Sequence, residues 1–243
     1  MELTSEANIF QNIQKKSNNN DLLVGVLGGT AFDAHYGAIF LNKRNINTLP
    51  IGVSSSPAEQ TILQLSKKKL TMKVIEIIKD LISKKCSIIF IYCNSLSVSL
   101  NLIVLRKIIT IPIITTMDSY KSIAINESSI AIIAANCQSL ANIEKMMLRI
   151  NSNITVVGFS ALNIVNDIEK GVPSYELIKR YNLVSLCRNI SQNGVRKILI
   201  GCTHFDYFYD SLIEIMSFVA PQIQFVAPSD IMYQNLRIHI ETM

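Results

Sequence analysis

The sequence predicts an α/β protein made of two similar halves, each built around a mainly parallel four-stranded sheet. Short runs rich in Ile and Val alternate with longer segments of helical period along the 243 residues, which is typical of parallel sheets covered by helices. The same order of elements occurs twice, about 110 residues apart. Hydrophobic residues make up 49% of the chain and charged residues 17%, which excludes a disordered or coiled-coil protein.

Eight strands are predicted from short apolar runs rich in β-branched residues. In chain order they are 22–27, 48–53, 87–92, 112–115, 129–134, 154–159, 197–200 and 223–226. The first four correspond in order to the last four, although the residues themselves match poorly. We therefore expect a polar tail at 1–20, a first lobe at 21–116 and a second lobe at 117–228. The C-terminal helix at 229–243 is expected to pack back on the first lobe.

Helices are predicted where apolar residues recur every three or four positions, as at 71–83 and 139–150. Pro173 and Ser174 form a start signal for one helix over 175–191, and Gly194 follows its end. Asp230 is expected to cap a last helix that ends near His239.

Membrane and nucleic-acid roles are disfavoured by the pattern of charges. The apolar runs are far shorter than the roughly 20 residues that span a bilayer, and the polar first twenty residues do not resemble a secretion signal. The net charge is +5. Its basic clusters at 67–69, 84–85 and 106–107 lie near predicted helix ends without interleaved aromatic residues, which favours solvated helix ends over a nucleic-acid surface.

The five cysteines are Cys86, Cys93, Cys137, Cys187 and Cys202. Their odd number, and the absence of a Cys-x-x-Cys pair, predict free thiols in a reducing, cytoplasmic environment. Cys86 and Cys187 are interpreted as buried packing residues, and Cys137 lies on a turn that faces the predicted cleft.

Cys93 and Cys202 occupy equivalent places, because each directly follows the third strand of its half. Ligands of parallel sheets bind beyond the carboxyl ends of the strands, and a helix N-terminus there favours a thiolate and holds a carboxylate. Two such thiols facing one another predict proton removal from one side of a carbon acid and proton delivery to the other.

Three blocks of the chain resemble the aspartate/glutamate racemase family: Gly-Val-Leu-Gly-Gly at 25–29, Tyr-Cys-Asn-Ser at 92–95 and Gly-Cys-Thr-His at 201–204. The resemblance runs in order from about residue 22 to 230. It implies a cofactor-independent, metal-free amino-acid racemase with two Rossmann-like lobes, the active site between them, and a homodimer. It assigns catalysis to Cys93 and Cys202, and substrate binding or assistance to the residues that follow them, Asn94, Ser95, Thr203 and His204.

Several positions depart from the family pattern and leave the substrate open. Gly28 and Gly29, where substrate would approach the backbone, resemble the aspartate branch, whereas His204 resembles the glutamate branch. Gln60 stands where an Arg is expected to bind a side-chain carboxylate, and a neutral amide cannot form that ion pair. Either Glu169 or Lys170 corresponds to a family Lys. Thr30 and Asp33 are expected to point into the cleft.

The sequence leaves three alternatives. One is an isomerase or decarboxylase of a small dicarboxylate on the same scaffold, and another is a non-catalytic amino-acid-binding protein. A zinc site made of Cys93, Cys202 and His204 is disfavoured, because the close ligand pairs typical of zinc sites are missing.

Overall fold

A computed structural model describes residues 22–243 and contains two four-stranded sheets in which all neighbouring strands are parallel. The first sheet has the order β2-β1-β3-β4 and the second the order β6-β5-β7-β8. The strands are β1 (Leu23–Thr30), β2 (Asn47–Ser54), β3 (Ile88–Ile91), β4 (Ile113–Thr115), β5 (Ser129–Ala134), β6 (Thr155–Ser160), β7 (Lys197–Gly201) and β8 (Gln224–Val226). The predicted α/β class with two similar parallel sheets is confirmed, whereas the predicted tail at 1–20 lies outside the described residues.

The central strands consist of the continuous apolar runs from which the strands are predicted. All four residues of β3 are buried, as are the last five of β5, because helices cover both faces of each sheet. The edge strand β6 has no fully buried residue. All eight predicted strands are present, with ends displaced by three residues at most.

Twelve α-helices connect and cover the strands of residues 22–243. Those up to β5 are α1 (Ala31–Asn42), α2 (Pro57–Leu63), α3 (Lys67–Ser83), α4 (Asn94–Ser99), α5 (Leu102–Ile108) and α6 (Thr116–Ala124). Those after β5 are α7 (Cys137–Ile150), α8 (Leu162–Glu169), α9 (Ser174–Arg180), α10 (Leu183–Gln192), α11 (Asp206–Val219) and α12 (Pro228–Glu241). Within this part of the chain, no helix combines the length and apolar character needed to cross a membrane.

Two helix predictions are wrong. The single helix expected at 175–191 is interrupted between α9 and α10, where Asn182 adopts a left-handed backbone with φ 50°. Asparagine tolerates this conformation because its short polar side chain can bond locally. The predicted cap Asp230 lies instead inside the first turn of α12, which begins at Pro228 after Ala227. Proline suits the first helical position because its missing N–H has no helical partner there.

The last helix, α12, packs against the first sheet. Met232 and Leu236 are fully buried in one apolar cluster with Val24, Val26 and Leu41. The helix that follows the second sheet in the chain therefore completes the apolar core beside the first sheet. The lobe boundary expected at 116/117 remains a prediction.

The packing of α12 can be tested with Leu236→Ala, which removes a fully buried side chain. We expect a loss of about 2–5 kcal/mol in the free energy of unfolding, because the removed groups leave a cavity. The control is Ile238→Ala on the same helix, where the side chain is 58% exposed and the change should stay within about 0.5 kcal/mol. Urea unfolding followed by circular dichroism measures both, and equal effects would contradict this packing.

Candidate active site

The two predicted catalytic cysteines lie at the carboxyl ends of β3 and β7, where each strand turns into a helix. Cys93 is the N-cap residue of α4. Cys202 precedes a 3-10 turn (Thr203–Phe205) that leads directly into α11. Both have extended backbones and are buried, with 3% and 6% of their surface exposed.

Direct hydrogen bonds join the two cysteine loops. With its amide oriented to satisfy both ends, the Asn94 oxygen accepts from the backbone N–H groups of Cys202 and Thr203 at 3.3 Å, and its nitrogen donates to the Tyr120 hydroxyl. Thr203 Oγ1 also lies 3.4 Å from the carbonyl oxygen of Tyr92. The structure thus brings the loops of both cysteines to a single place between the sheets.

The Cys93 sulfur lies among neutral polar groups. Gln60 Nε2 donates to Sγ of Cys93 at 3.2 Å and to Oγ of Ser95 at 2.5 Å, and that hydroxyl is 3.3 Å from the sulfur. Burial raises the pKa of Cys93 well above its ordinary value, and the nearby charge of Asp33 raises it further. Hydrogen bonds from Ser95 and from the Leu96 N–H oppose this shift without cancelling it, so the resting Cys93 is a neutral thiol.

His204 lies between the Cys202 sulfur and two carboxylates. Its Nδ1 is 3.9 Å from Sγ of Cys202 and 3.6 Å from Oδ1 of Asp33, and its Nε2 is 2.9 Å from Oε1 of Glu169. Burial lowers the pKa of His204, but Asp33, Cys202 and Glu169 together outweigh burial and raise it well above the ordinary value. The ring is therefore a charged imidazolium, stacked on Phe32 with centroids 5.6 Å apart.

Glu169, and not Lys170, faces this site. Its Oε1 accepts from the Thr30 hydroxyl at 2.6 Å as well as facing His204. Burial raises the pKa of Glu169, but the hydrogen bonds from His204 and Thr30 lower it more. Lys170 instead pairs with Asp167 at 3.5 Å. Which of the two corresponds to the family Lys stays open.

No family model matches the sequence. Glutamate racemase from Clostridium botulinum (strain Alaska E43 / Type E3) is 23% identical over 194 residues, which cover 76% of this chain and 74% of the relative. Glutamate racemase from Francisella tularensis in complex with D-glutamate superposes with a TM-score of 0.67 at 20% identity, over 92% of this chain and 82% of that one.

The chain has the aspartate/glutamate racemase fold. Allantoin racemase from Klebsiella pneumoniae shares it with a TM-score of 0.64 at 10% identity, over 89% of this chain and 88% of that one. Arylmalonate decarboxylase shares it with a TM-score of 0.57 at 13% identity, over 89% and 92%. The predicted family resemblance is confirmed.

Close packing surrounds the two glycines of the racemase fold's first strand. A Cβ on Gly28 would lie 2.1 Å from the backbone nitrogen of Ala34, and a Cβ on Gly29 would lie 2.3 Å from Nε2 of Gln60. Gly28 therefore lets α1 approach its strand, while Gly29 leaves room for the Gln60 amide. Their predicted contact with substrate remains a prediction.

Tyr120 and Phe32 are not predicted from the sequence as site residues, yet Tyr120 touches Asn94 and Phe32 stacks on His204. Neither side chain stands in a recognisable motif, so only their positions in space connect them with the site.

The remaining cysteines form no hydrogen bond with the residues around Cys93 and Cys202 that the structure describes. Cys86 and Cys187 are buried in apolar clusters, and burial raises the pKa of Cys187 to about 12. Cys137 is exposed, with its sulfur 3.1 Å from Oγ of Ser160. Among residues 22–243, no group of three or more His, Cys, Asp or Glu side chains is arranged to hold a metal ion.

Behind the cysteine loops, Asp206 at the start of α11 accepts a hydrogen bond from the Tyr92 hydroxyl. Burial raises the pKa of Asp206 to about 7, against the opposing hydrogen bonds of Tyr92 and Ser229. Because this pKa lies above the ordinary 3.8, the folded state holds the proton more tightly than the unfolded state. The stability contributed by the neutral form is complete below about pH 4 and is lost as the pH rises to about 7.

The substitution Asp206→Asn should remove the fall in stability between about pH 4 and pH 7, because an Asn side chain stays neutral at both pH values. We expect the variant to be more stable than the unaltered protein by about 2–4 kcal/mol at pH 8, with little difference at pH 4. Urea unfolding at both pH values measures the effect. Asp210→Asn, an exposed position on the same helix, is the control and should change stability by less than about 0.5 kcal/mol at either pH. A gain of equal size at pH 4 and pH 8 would contradict the assignment.

Proposed function

We propose that this protein is a cofactor-independent amino-acid racemase in which Cys93 and Cys202 act on opposite faces of the substrate Cα. The proposal rests on one observation above all. Two cysteines at equivalent strand ends of two similar sheets lie on loops that bond directly to one another through Asn94.

The reaction requires one thiolate and one thiol in each turnover. The thiolate takes the proton from Cα, and the electron pair of the broken C–H bond moves toward the substrate carboxylate. The thiol on the other face then gives its proton to Cα, so the configuration is inverted. The two cysteines exchange protonation states, and no oxidant, reductant or second substrate is consumed.

Binding of the substrate carboxylate is assigned to the polar groups around the two helix starts. The start of a helix attracts an anion. The side chains of Asn94, Ser95 and Thr203 lie there and bond to other protein groups in this closed arrangement, so they would turn to the substrate carboxylate when it binds. These groups would also stabilise the charge that grows on the carboxylate as Cα loses its proton. His204, 3.9 Å from the Cys202 sulfur, is assigned to assist that cysteine.

Both sulfurs are nearly covered in this closed arrangement, so substrate entry requires a movement at the rim of the site. Contacts between the first half and the second that such a movement would affect include Thr30, which donates to Glu169 at 2.6 Å, and Asn136, which donates to Thr61 at 3.3 Å.

The substrate class is assigned as glutamate, aspartate or a related amino acid. The curated relative and the structure solved with D-glutamate make glutamate the first compound to test. Because Gln60 is neutral, it cannot form the ion pair that an Arg would form with a side-chain carboxylate. It does not exclude recognition of that group by neutral donors.

A decarboxylase of a small dicarboxylate is the second candidate, because arylmalonate decarboxylase shares the fold. Such a reaction loses CO₂ and needs one proton delivered to one face of the carbon. A single thiol is enough for that, so the second cysteine favours racemisation. A non-catalytic amino-acid-binding protein has no need of either thiol. The homodimer and the cytoplasmic location also remain predictions.

The test is a panel of L- and D-amino acids incubated with the purified protein in deuterium oxide. We expect deuterium at Cα and loss of optical activity for one or a few of them. Cys93→Ala and Cys202→Ala should each lower the racemisation rate by at least about 100-fold, since each removes one acid–base group. Chiral chromatography and mass spectrometry measure both quantities.

Cys137→Ala removes an exposed thiol and should keep full activity. Full racemase activity in both single cysteine variants at the site would refute the two-thiol mechanism. CO₂ release from a malonate would support the decarboxylase, and binding without turnover would support the binding protein.

A further inference from the structure

Asp33 is a fully buried carboxylate at the centre of the site. It is the third residue of α1, where its backbone N–H donates to the Thr30 hydroxyl at 3.3 Å. Its Oδ2 accepts from the Gly29 N–H at 3.0 Å. Acidic residues are common in the first turn of a helix, where they stabilise its N-terminus. The Oδ2 contact with Gly29 is of this kind and stays within the first half of the chain.

The other oxygen of Asp33 reaches the second half. Oδ1 accepts from the Thr203 hydroxyl at 2.7 Å and lies 3.6 Å from Nδ1 of His204. Both partners directly follow Cys202 in the chain. The start of a helix does not require these contacts, because they join residues 170 positions apart.

The same carboxylate also acts on the opposite thiol. After burial itself, the charge of Asp33 is the largest influence that raises the pKa of Cys93. Charges in a buried site are screened much less than charges at the surface. One buried side chain therefore acts electrostatically on Cys93 while it bonds the residues beside Cys202.

A buried carboxylate is costly unless an opposite charge and hydrogen bonds compensate it. His204 supplies the charge, and Gly29 and Thr203 supply the hydrogen bonds. Glu169 also faces His204, but its side chain is 20% exposed whereas that of Asp33 is 0% exposed. Asp33 is thus the carboxylate better protected from solvent.

We propose that Asp33 is a positioning residue for the two cysteines: its carboxylate holds Thr203 and His204 beside Cys202, and through Thr203 it fixes that loop against Tyr92 and Asn94, which flank Cys93. The catalytic meaning of this link rests on the proposed racemase function. The two cysteines then have different surroundings before substrate binds, even though they stand at equivalent strand ends.

Asp33→Asn keeps the shape and an acceptor oxygen while it removes the charge. We expect the pH profile of Cys93 alkylation by iodoacetamide, followed by peptide mass spectrometry, to move to lower pH by at least about one unit, a tenfold change in equilibrium. We expect kcat for racemisation to fall at least about tenfold in both directions. A merely structural role would lower stability or activity without moving the alkylation profile.

Asp118→Asn is the matched control. Asp118 is likewise the third residue of its helix, α6, where it caps the N-terminus and pairs with Arg106 at 2.8 Å. The same substitution there should leave the Cys93 profile and kcat unchanged. An unmoved Cys93 profile in the folded Asp33→Asn protein would overturn the proposal.

A second measurement covers the case in which Asp33→Asn does not fold. Nitrogen-15 NMR of Glu169→Gln reports whether His204 keeps both ring protons at pH 7 when Asp33 is its only carboxylate partner. A charged ring supports the proposal, and a neutral ring overturns it.

Alkylation and NMR need no turnover, so the two proposals can fail separately. A shifted Cys93 profile in a protein that racemises no amino acid would refute the racemase function alone. Racemisation that is unaffected by Asp33→Asn, with an unmoved profile, would refute the role of Asp33 alone.

Discussion

The hydrogen bonds between the two cysteine loops are the constraint on which the site depends. Thr203 donates to Asp33, and Asn94 accepts from the N–H groups of Cys202 and Thr203. Buried polar groups need partners, and here each half of the chain supplies what the other half lacks. The relative position of the two sulfurs is therefore set by contacts that exist only when both sheets are folded and docked.

Among the described residues at the two cysteine loops, two carboxylates lie next to the charged His204 ring. His204 lies between Asp33 and Glu169, whereas Cys93 contacts the neutral groups of Gln60 and Ser95 and has the carboxylate charge of Asp33 acting on it from nearby. The two cysteines thus have matching places in the repeated fold and different electrostatic surroundings. A two-base reaction can use that difference, because one group must hold a proton while the other accepts one.

Local patterns predicted most of the fold. All eight strands were readable, because helices cover both faces of each sheet and leave uninterrupted apolar runs. The prediction of one helix over 175–191 is wrong because Asn182 adopts a left-handed backbone angle that interrupts the helix. The spacing of apolar residues carries no information about that angle. The expected cap at Asp230 was wrong because Pro228 begins the helix two residues earlier.

The sequence by itself determined the alternation of strands and helices and the placement of Cys93 and Cys202 at the ends of two equivalent strands. Both are local properties, carried by the periodicity of neighbouring residues. Only the tertiary structure decided that Gln60 contacts Cys93, 33 positions away, and that Glu169 rather than Lys170 contacts Thr30, 139 positions away. Such contacts depend on how two sheets dock, and docking is determined by buried surfaces spread over the whole chain rather than by any short segment.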